Sequence, residues 1–349
     1  MGVNLRSLIP EGAVEIIDIE SLKGKTLAID AYNALYQFLA IIRQPNGTPL
    51  KDSRGRITSH LSGLFYRTVN FLELGIKPVY VFDGTPPEIK ELEILRRKKI
   101  KEEAAIKYEE ALRRGDLEEA RTYAQQTATL TEEMVNDAKK LLNALGVPWV
   151  QAPSEGEAQA AYMAQKGDVW AAASQDYDSL LFGAPRLVRN LTISGRRKLP
   201  RRKEYIEINP EVIYLNKLLE ALNITREQLI DIAILIGTDY NPDGVKGVGP
   251  KTALKLIRIH GNLKKILREL KNAHFPINPE EIKKIFLEPK VSGNYKLKWK
   301  EPNENAVIEL LCEEHDFSLE RVKKAIERAI KAYREHMKQV SLEKWFKLG

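Results

Sequence analysis

Four short apolar segments in this chain of 349 residues each run into carboxylates. The segments are residues 25–30, 79–82, 147–152 and 169–173. The acids at their carboxyl ends are Asp30, Asp83, Glu155 with Glu157, and Asp176 with Asp178. Amphipathic helical patterns separate the segments, and this alternation predicts an α/β fold with a largely parallel central sheet and helices on both faces. Ligands bind at the carboxyl ends of the strands in such sheets, so we expect these acids to converge.

Each acid taken alone also has a purely structural explanation. Ser154 and Glu157 have the spacing of a helix-capping box, which explains that doublet as well as metal binding does. Lone aspartates such as Asp30 and Asp83 often start an Asx turn, and the other doublet is placed to cap the helix that it precedes. Caps and turns give no reason for acids at the same end of four strands. So many carboxylates also repel one another unless cations neutralise them.

The acids favour a site for hard divalent cations such as Mg²⁺, which prefers oxygen ligands and substrate phosphate. Two such ions about 4 Å apart can hold a phosphodiester, activate a water and stabilise the leaving oxygen. The sequence has no Ser-His-Asp order, no P-loop and no zinc spacing, and its five histidines are scattered. Together with a net charge of +7, this predicts phosphodiester hydrolysis in a basic protein.

The cysteine content and the hydropathy pattern predict an intracellular protein. Cys312 is the one cysteine, which excludes an intrachain disulfide and favours a reducing compartment. No run has the apolar length of a membrane span, and the N-terminus lacks the apolar region of a signal peptide. The hydrophobic content of 43% is ample for one large domain or two smaller ones.

Two regions carry dense positive charge. Residues 86–130 show no strand pattern and contain five cations in the six residues from Arg96 to Lys101, so we predict charged helices inserted into the α/β core. For that run alone, a solvated and salt-bridged hairpin is the better explanation. Residues 196–203 contain six cations and no acid, in a turn between predicted strands at 187–191 and 204–208.

The C-terminal half contains further helical patterns. Residues 210–236 are predicted to be helical, and the turn from Gly247 to Lys251 opens another helix. Eight Lys or Arg and one acid lie between Lys246 and Lys271, which favours contact with a phosphate backbone. A last helix is predicted from about 319 to 338, and the tail after it ends in two aromatic residues.

Six segments in order give a specific resemblance. They are MGVNLRSLI, LAIDAYNALYQFL, VYVFDGTPP, APSEGEAQAAYM, SQDYDSLLFG and ILIGTDYNPDGVKGVGPKTA, and they span nearly the whole chain. The chain resembles the structure-specific 5′ nucleases of the flap endonuclease/XPG family, and most closely the archaeal flap endonucleases. This resemblance implies a PIN-like 5′ nuclease core with a helical arch at about 86–130 and a helix–two-turn–helix at about 226–262.

The resemblance extends the site beyond what the strand pattern predicts. It implies that seven acids bind two Mg²⁺ ions, for which Mn²⁺ can substitute: Asp30, Asp83, Glu155, Glu157, Asp176, Asp178 and Asp239. The glutamates and Asp83 are expected on one ion and the last three aspartates on the other, with Asp30 acting partly through water. Whether Glu157 contacts an ion directly stays open.

The resemblance also assigns DNA and clamp contacts. Lys90 and Arg97 are expected to steer and neutralise the scissile phosphate, Tyr36 to stack near the scissile nucleotide, and Gly2 to lie close to the site. The turn with Gly247, Gly249 and Lys251 is expected to grip duplex backbone with a K⁺ ion. The tail residues that match a motif for docking on the sliding clamp (PCNA) are Gln339, Leu342, Trp345 and Phe346.

The sequence thus predicts one 5′ nuclease domain over residues 1–335, with an N-terminal part (1–100) and an internal part (120–260), and a clamp-binding tail over 336–349. The expected activity is Mg²⁺-dependent cleavage of 5′ flaps, with 5′–3′ exonuclease activity on nicked or gapped duplex, in Okazaki-fragment maturation and repair. We expect a monomer in the cytoplasm or nucleoid of an archaeon. The alternatives are a non-catalytic junction-binding protein tethered to the clamp, a sister nuclease for bubbles or four-way junctions, and a PIN-like ribonuclease.

Overall fold

The computed structural model describes residues 2–193, 195–198, 205–270, 275 and 277–346. The strands are β1 (Val14–Ile16), β2 (Thr26–Asp30), β3 (Lys77–Phe82), β4 (Trp149–Gln151), β5 (Ala171–Ala173), β6 (Arg186–Arg189), β7 (Gly195–Lys198), β8 (Tyr205–Ile208) and β9 (Glu211–Tyr214). The helices are α1 (Ala31–Ile41), α2 (Ser59–Glu73), α3 (Glu91–Arg113), α4 (Leu117–Gln126), α5 (Glu132–Ala144), α6 (Gly156–Gln165), α7 (Asp178–Leu181), α8 (Leu215–Leu222), α9 (Arg226–Ile236), α10 (Pro250–His260), α11 (Leu263–Glu269), α12 (Pro279–Leu287), α13 (Glu304–Ile308) and α14 (Leu319–Phe346).

Seven strands form one sheet in the order β1-β9-β6-β5-β2-β3-β4. The strands from β6 to β4 pair in parallel, whereas β9 pairs antiparallel with β6 and with β1. The four acid-bearing strands, β5, β2, β3 and β4, are therefore consecutive neighbours, and their carboxyl ends share one edge. The predicted largely parallel sheet is confirmed.

The sheet separates two hydrophobic cores. Alternate residues of its strands point to opposite faces, as Ala28 and Val79 do on one side and Ile29 and Tyr80 on the other. Helices α1, α2, α5 and α14 pack on the second face, and α6 and α8–α12 pack on the first. Helices on both faces were predicted, and they leave the carboxyl edge as the place for a ligand.

The charged insertion is a helical hairpin of α3 and α4. The two helices are joined at Gly115, which has a φ of +75°, and Asp116 caps α4 by accepting a hydrogen bond from Glu119 N at 2.9 Å. Small side chains such as Ala104 and Ala120 are buried in the hairpin, while Leu95 and Ile106 are exposed. The prediction of inserted helices without strands is confirmed.

Residues 210–236 are only partly helical, so that prediction was wrong at its N-terminal end. Glu211–Tyr214 form β9, because alternation over four residues is too short to distinguish a strand from a helix turn without its sheet neighbours. The helix is also interrupted at Asn223, whose φ of +51° ends α8. Thr225 then starts α9 with a capping box that Gln228 completes.

Two other boundaries differ from the sequence prediction. The basic segment predicted as a turn begins as a strand, because Arg196, Arg197 and Lys198 belong to β7, which pairs antiparallel with β8. The rest of that turn lies outside the described residues. The last helix does not end near residue 338, since α14 continues to Phe346 through the predicted clamp motif. No helix in the described part of the chain is long and apolar enough to cross a membrane.

A buried polar cluster joins α2, α5 and the segment before α14. The ring of His315 lies with Nδ1 3.5 Å from Asp52 Oδ2 and Nε2 3.5 Å from Asp137 Oδ2. His60 of α2 is 1% exposed, and neither of its ring nitrogens has a hydrogen-bond partner among the described residues. Burial lowers the pKa of His60 to about 4 despite the nearby charge of Asp137.

We expect acid to destabilise the protein through His60. The unfolded chain binds a proton at this residue below pH 6.5, whereas the folded protein binds it only near pH 4. Stability is therefore fully present above pH 6.5 and falls by about 3 kcal/mol as the pH drops to 4. Denaturant unfolding at several pH values should show a flatter profile for His60→Gln than for the wild type. Parallel profiles for His60→Gln and wild type would contradict the assignment.

Candidate active site

The carboxyl edge of the sheet gathers all seven predicted acids into one electrostatically coupled group. Asp30 ends β2, Asp83 follows β3, and the two doublets follow β4 and β5. The seventh acid, Asp239, lies in the loop after α9. The charge of each of the seven carboxylates shifts the pKa of another member, or its own pKa is shifted by one. Acids more than two hundred residues apart in sequence therefore share one site.

The backbone fixes two of these carboxylates. Asp30 Oδ1 accepts a hydrogen bond from Asn33 N at 2.9 Å and so caps α1. Asp83 Oδ1 accepts one from Gly156 N, the first residue of α6, at 2.6 Å. A Cβ at Gly156 would lie 2.7 Å from the same oxygen, so only glycine permits this approach. Asp30 thus serves as a cap and as a member of the acid group at once.

The capping box predicted for the Glu155–Glu157 doublet is absent. Glu155, not Ser154, is the N-cap of α6, and its side chain makes no capping hydrogen bond. The box fails because the helix begins one residue later than the spacing suggests, which places Glu157 at the second helical position. Both glutamates are thereby free of a capping role. Glu157 Oε1 accepts a hydrogen bond from Ser179 Oγ at 3.4 Å.

The N-terminal segment fixes the second doublet. Asp178 Oδ1 accepts a hydrogen bond from Val3 N at 2.8 Å, and a Cβ on Gly2 would lie 2.6 Å from that oxygen. Neither Asp176 nor Asp178 caps α7, whose N-cap is Tyr177 and has no side-chain capping bond. Gly2, expected close to the site from the resemblance, thus lies against an acid.

Two cations from the inserted helices enter the acid group. Lys90 Nζ lies 2.8 Å from Glu155 Oε2 and 3.2 Å from Asp239 Oδ2. The Arg97 guanidinium, two helical turns along, lies 2.6 Å from Asp239 Oδ1 and 2.8 Å from Glu93 Oε1. Asp239, which the strand pattern alone could not place, is therefore held by both cations.

Crowding raises the pKa of several of these acids. Burial and the charge of Glu155 raise the pKa of Asp83 to about 6, and burial together with Asp239 raises that of Asp178 to about 7. Burial and neighbouring carboxylates hold the pKa of Asp30 and Glu157 well above the ordinary range. Although burial opposes it, the charges of Glu155 and Asp239 raise the pKa of Lys90. The group is short of positive charge even with its two cations.

The acid group fits divalent cations. Glu155 Oε1 is buried and has no hydrogen-bond partner among the described residues, although the other oxygen is paired with Lys90. A buried carboxylate oxygen without a partner is costly, and an oxygen-seeking cation would satisfy it. In the part of the chain that the structure describes, no three acid, His or Cys side chains already have the spacing that one ion needs. The carboxylates therefore suit divalent cations by their chemistry and charge. In this structure Glu155 and Asp239 are paired with Lys90 and Arg97.

The other predicted site residues lie on separate elements. Tyr36 of α1 is half-buried and has Lys101 Nζ of α3 at 4.8 Å from its ring centroid. Gly249 is the N-cap of α10, and Cβ atoms built on Gly247 and Gly249 meet no atom within 4 Å. Lys251 is exposed on the first turn of α10. The four clamp-motif residues fall on the backbone of α14, and their side chains lie outside the described part.

Sequence reasoning missed residues that support the loop of the second acid doublet through ion pairs and hydrogen bonds. Arg6 donates to both carboxylate oxygens of Glu211, which also pairs with Arg189. Arg189 Nε donates to Gln175 O at 3.0 Å, next to the second acid doublet. These residues tie the N-terminal segment, β6 and β9 to the loop that carries two acids. Their spacing in sequence carries no signal, because the pairs form only when the sheet is assembled.

Comparison with known proteins identifies the family. The family model for the XPG N-terminal domain matches residues 1–104, and that for the XPG I-region matches residues 146–239. Flap endonuclease 1 of Staphylothermus marinus is 66% identical over 349 residues, which cover 99% of this chain and 100% of the relative. The same enzyme of Pyrococcus abyssi is 58% identical over 347 residues, with 99% and 98% covered. The chain belongs to the flap endonuclease 1 family.

Solved structures agree with this assignment. Flap endonuclease-1 from Methanococcus jannaschii superposes with a TM-score of 0.75 at 48% identity, over 96% of this chain and 99% of that one. The Holliday junction-resolving enzyme GEN1, in a complex with product DNA and a Mg²⁺ ion, is 21% identical with a TM-score of 0.63, over 94% and 76% of the chains. That more distant likeness shows a shared fold. Family membership makes the chain a flap endonuclease, a phosphodiester hydrolase of DNA replication and repair, as predicted.

We expect Gly156→Ala to impair the site without unfolding the protein. Alanine favours helices, but its Cβ would lie 2.7 Å from Asp83 Oδ1 and 3.3 Å from Val81 O, so the Asp83 carboxylate must shift. Disturbing such a supporting contact typically costs about 10- to 100-fold in metal affinity or activity. Cleavage rates across a Mg²⁺ titration measure this loss. Gly12→Ala is the control, since a Cβ there meets no atom within 4 Å, and equal rates for the two variants would contradict the expectation.

Proposed function

We propose that this flap endonuclease is Mg²⁺-dependent and cuts 5′ flaps at single-strand/duplex DNA junctions, with 5′–3′ exonuclease activity on nicked or gapped duplex. Its cellular tasks in this proposal are Okazaki-fragment maturation and repair. The observation that carries the proposal is the acid group at the carboxyl edge, into which Lys90 and Arg97 of the inserted helices reach at 2.8 Å and 2.6 Å.

The acid group is proposed to hold two Mg²⁺ ions, which Mn²⁺ can replace. Asp83, Glu155 and Glu157 form the first set of ligands, and the partnerless oxygen of Glu155 supports this. Asp176, Asp178 and Asp239 form the second set, and Asp30 contributes partly through water. Such ions supply Lewis acidity, which activates a water and stabilises the leaving oxygen. The acids themselves would fix the positions of the ions. The raised pKa of Asp83 and of Asp178 reflects burial and the charge of neighbouring carboxylates, and bound cations would offset that charge.

Lys90 and Arg97 are proposed to bind the scissile phosphate. Both cations are part-buried and paired with carboxylates. Glu155 and Asp239 would pair with divalent cations in place of Lys90 and Arg97, which would leave the ammonium and the guanidinium available to a phosphate. The Arg97 fork suits bidentate contact with phosphate oxygens, and Lys90 acts as a point charge. Tyr36 is proposed to stack near the scissile nucleotide. In this structure Lys101 Nζ lies over the Tyr36 ring.

The remaining elements are proposed to bind the substrate on either side of the cut. The hairpin of α3 and α4 serves as the arch that admits the 5′ single strand, within one nuclease domain over residues 1–335. The turn before α10 grips duplex backbone through Gly247, Gly249 and Lys251, together with a K⁺ ion. Open space at both glycines allows close approach of a phosphate to the backbone N–H groups of the helix start.

We expect Asp176→Asn to abolish incision of a 5′-labelled flap while flap binding stays largely intact. The amide keeps the shape of the side chain but removes a negative charge that a divalent ligand set requires. Gel analysis of cleavage in Mg²⁺ and fluorescence anisotropy in Ca²⁺ separate the two properties. Asp243→Asn is the matched control, because its side chain is 95% exposed and lies only four residues from Asp239. Full cleavage by Asp176→Asn would overturn the proposed mechanism.

The C-terminal tail is proposed to dock on the sliding clamp. Gln339, Leu342, Trp345 and Phe346 have the spacing of a motif in which a polar side chain, an aliphatic and two aromatics fill pockets on a partner. The backbone there is helical and continues α14.

We expect Trp345→Ala with Phe346→Ala to remove stimulation by the clamp and to leave clamp-independent cleavage unchanged. Alanine removes the large apolar surface that anchors such interfaces and leaves the acid group intact. Cleavage of a nicked flap with and without an archaeal clamp, and surface plasmon resonance on the immobilised clamp, measure the effect. Leu319→Ala, at an exposed position of the same helix, is the control. Retained clamp binding in the double variant would exclude the tail as the docking site.

A further inference from the structure

Asn33 of α1 contacts two carboxylates that come from different strands. Its backbone N–H donates to Asp30 Oδ1 at 2.9 Å, and its side-chain Nδ2 donates to Asp176 Oδ2 at 3.2 Å. Asp30 ends β2 and Asp176 follows β5, and these strands are neighbours in the sheet. One residue therefore joins two acids that perturb each other electrostatically.

The neighbours of Asn33 fix which end of its amide faces Asp176. Gln175 N, a backbone donor, lies 3.4 Å from Asn33 Oδ1, and Gln37 Nε2 donates to the same oxygen at 2.8 Å. A backbone N–H can only donate, so the atom beside it must be the acceptor. The amide nitrogen is then left for the carboxylate.

The Asn33 oxygen orients Gln37 in turn. Gln37 Nε2 must face Asn33 Oδ1, because that oxygen can only accept, and the hydroxyl of Thr192, in the loop after β6, then donates to Gln37 Oε1. The hydrogen bonds run in one direction from Thr192 through Gln37 and Asn33 to Asp176. The Asn33 amide therefore resists rotation, because a flipped amide would place its nitrogen against two donors and its oxygen against the Asp176 carboxylate.

We propose that Asn33 is a positioning residue that sets which oxygen of Asp30 and of Asp176 faces the metal ions. The inference rests on the proposed function, in which these acids are ligands. Asn33 engages one oxygen of each carboxylate, Asp30 Oδ1 and Asp176 Oδ2, and the Asp176 carboxylate also accepts a hydrogen bond from Gly2 N. The hydrogen bonds also withdraw negative charge from both acids, which lessens their mutual repulsion before a cation binds. Supporting contacts of this kind orient metal ligands and tune their affinity.

The test replaces Asn33 by leucine, which matches its size, suits a helix and cannot donate to Asp176. Mn²⁺ binding to the DNA-free protein is followed by electron paramagnetic resonance, and flap cleavage is titrated with Mg²⁺. We expect Mn²⁺ affinity to fall about 10- to 100-fold and the half-saturating Mg²⁺ concentration to rise by a similar factor. At saturating metal, kcat should return towards that of the wild type, and the KM for the flap should stay unchanged.

Two further variants complete the test. Gln37→Leu removes one of the two donors to Asn33 Oδ1 and should weaken Mn²⁺ binding less than Asn33→Leu does. Asn70→Leu, at an exposed asparagine of α2, should bind Mn²⁺ like the wild type. Thermal unfolding without metal monitors the fold of every variant.

The outcomes separate this inference from the proposed function. If Asp176→Asn weakens Mn²⁺ binding and Asn33→Leu does not, the positioning role is wrong while the metal site stands. A lowered unfolding temperature with unchanged Mn²⁺ affinity likewise assigns Asn33 a structural role only. If Asp176→Asn binds Mn²⁺ as the wild type does, the metal site itself is misplaced, and the role of Asn33 fails with it.

Discussion

Repulsion among carboxylates is the constraint on which the rest of this structure depends. The parallel sheet places acids from four neighbouring strands at one edge, and Asp239 joins them from the loop after α9. Burial, and after it the charge of neighbouring carboxylates, raises the pKa of Asp83 and that of Asp178 towards neutrality. The group persists because backbone N–H groups and two cations oppose that repulsion at short range.

The two cations link the inserted helices to the acid group. Lys90 and Arg97 come from the start of the hairpin, so its position and the charge balance of the acids are coupled. A phosphate bound to one of these cations would leave a carboxylate free for a divalent ion, and a divalent ion held by a carboxylate would leave a cation free for the phosphate. Substrate and metal binding therefore favour each other in our proposal, without a separate conformational signal.

Strand polarity alone predicts that Asp30, Asp83 and the two doublets lie at one edge of the sheet, and the structure places them there. Local secondary structure around these acids was predicted less well. The capping box at Ser154 was wrong because a one-residue shift in a helix start changes the role of Glu157 without changing the pattern. Strand β9 was predicted as helix because its four residues become a strand only by pairing with β1 and β6.

The sequence by itself determined the fold class, the acid-ended strands, the basic insertion and the family. Each of these depends on local composition, on the period of the hydrophobic pattern or on motifs in a fixed order. Only the tertiary structure decided which atoms meet. Lys90 bridges Glu155 and Asp239, Gly156 supports Asp83, and Asn33 joins Asp30 to Asp176. These contacts span up to about 150 residues of chain and depend on distances of a few tenths of an ångström. Residue type and spacing carry no information on distances of that size. Strand register and the close packing of the interior set those distances.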